Sequence, residues 1–201
     1  MKKYTILLFA LVFAMCTQKS RLYEVEMKQA EQAKTGIRYD TIFMDFRYGM
    51  SQHKTFERFR ELVYLEHLTL TKGGAFEWQT KLDTFKLGVG FNSKYFHDSL
   101  YSLSFIYKGK SQSQADRMQL FLADSLKSKY GEPIIIPSEE DTTKRDYFFV
   151  KGNQRIELVY PYQSKKTIAT FTDFTIENRK KLQELQEAQK PVSEEKEKEK
   201  E

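Results

Sequence analysis

The stretch DYFFVKGNQRIELVY, residues 146–160, decides the fold class. Two strand-like runs flank Gly152-Asn153, and a Gly/Asn pair between such runs marks a tight hairpin. The sheet around it must therefore be antiparallel at that point. Downstream, IATFTDFTI (168–176) reads as a further strand. Upstream, Ser113 is placed to cap a helix, with Asp116 three residues on and Met118, Phe121, Leu122, Leu126 and Tyr130 along one stripe. Gly131 and Pro133 then stop that helix.

The first half of the chain has the same order. TIFMDF (41–46) reads as a strand with Ile42, Met44 and Phe46 on one face. Ser51 is a good N-cap for a helix carrying Phe56, Phe59, Leu62 and Val63, and Gly73-Gly74 ends the connection that follows. In AFEWQTKL (75–82) the apolar positions Phe76, Trp78 and Leu82 are even; in TFKLGVGF (84–91) Phe85, Leu87, Val89 and Phe91 are odd. That switch of parity requires a turn or bulge near Asp83, because a slip of one residue exchanges the faces of a strand. LYSLSFIY (100–107) adds a third strand with Leu103 and Phe105 inward.

The sequence thus predicts one α+β domain over residues 36–176 with two helix-plus-three-strand units, about 40–108 and 111–176. The expected layers are an antiparallel sheet with helices on one face, and both helical stripes are expected to be core. A domain of about 140 residues buries roughly two-thirds of its unfolded surface. The single cysteine leaves no intramolecular disulfide, so the core has to hold the fold.

Both ends read differently. Lys2 and Lys3, then an apolar run from Tyr4 to Met15, have the layout of a secretory signal over residues 1–15. The run is too short to cross a bilayer, which takes roughly 20 apolar residues. Cys16 closes it, where a lipid would be attached to the new N-terminus; cleavage after Ala14, with Val12 and Ala14 as the small residues, is the alternative. Residues 16–35 then read as a tether, and 177–201 as a charged disordered tail ending in alternating Glu and Lys. Removing Lys2 and Lys3 takes two from the formal charge of +5, and acids and bases are mixed along the remainder. No basic cluster with interleaved aromatics marks a nucleic-acid face.

The Gly49-Met50-Ser51 turn opening a helix, the strands after it and the lipoprotein-like leader resemble small bacterial envelope lipoproteins of the SmpA/OmlA type. The doubled unit is similar to the β-lactamase-inhibitor-protein fold. The resemblance implies a non-catalytic protein that binds other proteins in the envelope, lipid-anchored at the outer membrane and facing the periplasm. No cofactor is implied.

Residues that could carry chemistry are sparse. His53, His67 and His97 are too far apart for a local metal motif such as HExxH, and Gly88 and Gly90 sit inside a strand without the rest of a dinucleotide fingerprint. His97-Asp98-Ser99 has the residue types of a triad but is better read as a loop between strands, and Glu139-Glu140-Asp141 as a solvated loop. A secreted or periplasmic hydrolase, or a cell-wall-directed enzyme, is the alternative to a partner-binding protein. The expected partner surface is the sheet face opposite the core stripe: Glu77, Gln79 and Lys81, with Lys86, Gly88 and Gly90, and with Ser102, Ser104 and Ile106. Short side chains there would leave a shallow groove.

Overall fold

The structure, a computed structural model, describes residues 21–82, 85–138, 143–161 and 164–188, and of residues 79–82 and 85–87 the backbone only. Among these are four helices and one eight-stranded antiparallel sheet, an α+β fold. Helix α1 occupies residues 21–34. Then come α2 (Gln52–Tyr64), β1 (Thr69–Leu70), β2 (Phe76–Leu82), β3 (Phe85–Phe96) and β4 (Ser99–Lys108). The order begins again with α3 (Gln112–Tyr130), β5 (Ile134–Pro137), β6 (Arg145–Lys151), β7 (Gln154–Val159) and β8 (Lys166–Asp173), before α4 (Phe174–Ala188).

Each unit is therefore a helix and a four-strand meander, one strand more than the sequence predicts. The extra strands, β1 with two residues and β5 with four, are too short to show a period. The sheet order β1-β2-β3-β4-β8-β7-β6-β5 joins the units last strand to last strand, leaving β1 and β5 as its two edges. Leu82 pairs with Phe85 across a two-residue connection, and this hairpin produces the exchange of parity between β2 and β3. The turn residues 83–84 themselves lie outside the described ones.

One core lies where expected. Phe59 and Leu62 of α2 and Met118 and Ala123 of α3 pack on Val89, Leu103, Phe105, Leu158 and Ala169 of the sheet. Ser51 caps α2, its Oγ accepting from Lys54 N at 3.1 Å. The cap of α3 is Ser111, which accepts from Gln114 N at 3.2 Å, two residues before the predicted Ser113. The stripes are only partly core: Phe56 is 52% and Phe121 46% exposed, while Thr55 and Gln119 are buried.

The opposite face is also partly covered. Val150 follows Phe149 on β6 and so points the other way; it packs with Ile136, Val25 of α1 and Phe174 of α4 in a second core. The predicted tether is thus a docked helix over 21–34, and the predicted tail is helical as far as Ala188. Val25 of α1 and Phe174 and Ile176 of α4 are the buried apolar side chains of these otherwise polar helices. The strand predicted over 168–176 ends at Asp173, whose Oδ1 accepts from Thr175 N (2.9 Å) and Ile176 N (3.3 Å) and starts α4.

Residues 41–46 are not a strand either. Thr41 bridges Arg47, and Met44 (φ 52°) and Asp45 (φ 60°) turn the chain back between them. Arg58 holds the turn by donating from Nε to Met44 O at 3.0 Å and pairing with Asp45 at 3.1 Å. Ile42 and Phe46 are still buried, so the apolar pattern reports burial and not backbone.

Candidate functional site

The residues expected to form the partner face do share one side of the sheet. Glu77 pairs with Gly90, Gln79 with Gly88, Lys81 with Lys86, and Gly90 in turn with Ile106. Their groove, however, is filled at one end. Ser102 and Ser104 are buried, and their hydroxyls bond those of Thr172 (3.2 Å) and Thr170 (2.9 Å) across β4 and β8. Helix α4 crosses beside them, its Lys180 reaching the Tyr101 hydroxyl at 3.4 Å. Gly88 and Gly90 are part-exposed, and a Cβ at either would meet its nearest atom at 3.9 Å. No close approach within the chain requires glycine there. Cys16 lies outside the described residues.

An open concave surface lies on the other side, against α2. Helix α2 has 13 residues and α3 has 19, a difference of about 9 Å at 1.5 Å per residue. An open cleft of about 670 Å³ remains between α2, β2 and β3, floored by Phe59, Phe76 and Phe91, with Ser93 and Asp98 at one end. A second hollow of about 700 Å³ continues toward β1, bounded by Arg60, Val63, Tyr64 and Leu70. Phe56 and Phe76 line both, their rings 5.8 Å apart. The two hollows form one apolar trough along α2 at the β1–β2 edge.

The aromatic floor is a set of ring contacts. Phe59 stacks on Phe76 at 4.8 Å with only 6° between the planes, and meets Phe46 at 4.6 Å and Phe91 at 5.3 Å. Such pairs contribute about 0.5–1.5 kcal/mol beyond area burial. Above this floor Phe56, Tyr64 and Leu70 remain exposed, Tyr64 by 86%. A run of large apolar side chains open to water is a mark of an interaction surface. The sequence signal was present but ambiguous, since Phe56 and Phe59 both fit one helical stripe.

Asp98 and His53, at the N-terminal end of α2 beside the trough, have structural partners. Asp98 Oδ1 accepts from Gln52 N at 2.8 Å, tying the β3–β4 turn to the start of α2. His97 and Asp98 form that two-residue turn with positive φ, and His97 Nε2 bonds Gln183 Oε1 at 2.8 Å. His53 pairs with Glu57 at 3.1 Å on the exposed side of α2. The Glu139-Glu140-Asp141 run is outside the described residues. Among the described residues no group of three His, Cys, Asp or Glu is placed to hold a metal, and no helix is long and apolar enough to cross a membrane.

Ionic interactions concentrate instead under α4. Arg155 lies between Glu157 and Glu177, with Nη1 at 2.9 Å from Glu177 Oε2. Burial lowers the Arg155 pKa, but Glu157 and Glu177 outweigh it and the net direction is upward. Burial also pushes the Tyr107 hydroxyl up to about 12, which keeps it a neutral member of the core. Compared with protein families, curated proteins and solved structures, the chain matches none of them.

Proposed function

We propose that the chain is a non-enzymatic, lipid-anchored envelope protein that binds a protein partner. Support for export and anchoring is the Lys2-Lys3 start, the apolar run to Met15 and Cys16 directly after it. Support for partner binding is the trough, an apolar concavity whose neighbours Asp98 and His53 are engaged within the fold. The partner surface then lies on the α2 side of the sheet, with the outward Glu77 and Gly90 strip as its reverse side.

The arrangement of the two ends carries this reading. Arg21, five residues after Cys16, donates from Nη1 to Ile135 O at 2.8 Å and so starts α1 at the β5 edge. Five residues span at most about 18 Å, so a lipid on Cys16 holds the β5 edge near the membrane. The trough is at the β1 edge, seven strand spacings or roughly 30 Å across the sheet. Anchor and trough are on opposite sides of the molecule, and the trough faces what lies beyond the membrane surface.

The test is Cys16→Ala in the full chain. Loss of acyl labelling and release from the membrane fraction are the expected results. Stable anchoring takes more than one acyl chain, as a diacylated cysteine supplies. A parent protein that carries no lipid and begins at Met15 overturns the anchoring.

A further inference from the structure

Helix α1 carries apolar side chains on two opposite sides. Val25 faces inward, in one cluster with Ile136, Val150 and Phe174, and Gln29 one turn on is buried with it. Tyr23 and Met27, two residues before and after Val25, point the opposite way and share a face, 59% and 52% exposed. With Ile134 of the edge strand β5 they line an open hollow of about 700 Å³. A helix solvated on its outer side carries polar residues there, so this second apolar face calls for an occupant.

We propose that this face seats the chain on its own membrane, with Tyr23 and Met27 entering the headgroup region of the bilayer that holds the Cys16 lipid. The proposal rests on the anchoring reading above and names the surface that the anchor brings into contact. Chain length argues the occupant. Residues 17–20 separate Cys16 from Arg21, so the start of α1 stays within about 18 Å of the acylated residue. A surface held so close is met at high effective concentration, and a small apolar face suffices to engage it. A protein partner would need more: a stable interface takes about 20–30 residues a side, whereas the apolar lining here is Tyr23, Met27, Ala30 and Ile134. Tyrosine, with an apolar ring and a polar tip, also suits the boundary between lipid and water. The charges beside it cancel, Lys28 and Lys34 against Glu24 and Glu31, so the contact is apolar and indifferent to lipid charge.

The test uses the full acylated chain in phosphatidylcholine vesicles, with and without phosphatidylglycerol. The single cysteine carries the lipid, so Tyr23→Cys, Met27→Cys or Tyr64→Cys each provides one free thiol for a nitroxide label. Collisions with oxygen, which concentrates in lipid, and with a nickel chelate, which stays in water, report the depth of each label. Labels at 23 and 27 are expected roughly 5–10 Å into the boundary between headgroups and acyl chains, and the label at 64 in water. Neither phosphatidylglycerol nor molar salt should change these depths. Adding Met27→Glu, in a chain with unchanged circular dichroism that stays on the vesicles through its lipid, should return the label at 23 to water. Aqueous readings at 23 and 27, a depth at 23 that survives Met27→Glu, loss of depth in salt, or spin–spin broadening that shows a second copy on this face would each overturn the proposal. Mass spectrometry of the N-terminal peptide reports acylation separately. An acylated chain with aqueous labels keeps the anchoring and loses the seat, whereas an unacylated chain loses both.

Discussion

Asn153 donates from Nδ2 to Asp173 Oδ2 at 2.7 Å, and both side chains are buried. The pair joins three pieces of chain. Asn153 Oδ1 accepts from Tyr39 N at 2.6 Å, Arg38 reaches Asp173 at 3.1 Å, and Asp173 Oδ1 starts α4. Asn153→Ala removes the first bonds and leaves a buried carboxylate short of a donor, so the expected loss is about 2–3 kcal/mol in denaturant titration. Loss under about 0.5 kcal/mol would show that water replaces the amide.

Glycines on the two hairpins should respond oppositely. Gly152 has φ +58°, and a Cβ there would meet Ile37 O at 2.7 Å, so Gly152→Ala is expected to cost about 2 kcal/mol or more. Gly90 has room for a methyl group, its nearest atom being Ile106 Cβ at 3.9 Å. Gly90→Ala should raise stability by about 0.4–1 kcal/mol through the unfolded chain. Thermal unfolding of the two variants checks both signs.

Two phenylalanines one helical turn apart separate core from surface. Phe59 is 6% exposed and Phe56 is 52% exposed. Phe59→Ala is expected to cost about 3–5 kcal/mol, and Phe56→Ala less than about 1.5 kcal/mol. Equal losses would mean that Phe56 is packed in solution and the trough closed.

How far the sequence carries is clearest at such pairs. Period-2 and period-3.6 patterns located α2, α3 and the long strands, because each of these buries one face against a single core. They could not locate α1, where Val25 and Gln29 are the buried side chains on a polar helix, nor α4, whose start depends on Asp173. They misread 41–46, where burial of Ile42 and Phe46 accompanies a turn. The trough was illegible for a further reason: its lining comes from α2, β1, β2 and β3, which only the packing of helix on sheet brings together.

Acid should test the packing of α4. Burial raises the Glu177 pKa, but Arg155 and Lys181 outweigh it, and the carboxyl is held below its ordinary 4.5. A lowered folded-state pKa contributes stability that is complete above the unfolded value and is lost as pH falls through the folded one. Glu177→Gln is therefore expected to lower stability by about 1–2 kcal/mol at pH 7, and the difference is expected to shrink as pH falls below 4.5. A constant difference across that range would show that charge plays no part.

The placement of anchor and trough at opposite sheet edges is tested most directly by energy transfer to the membrane. Full-length, lipid-bearing chain in vesicles would carry a donor dye at residue 135 or at residue 70, with acceptors on the lipid headgroups. Transfer from 135, beside the start of α1, is expected to exceed transfer from 70 clearly, in keeping with roughly 30 Å of sheet between the edges. Equal transfer from the two positions, or stronger transfer from residue 70, would contradict a chain held at its β5 edge with its trough turned away from the membrane.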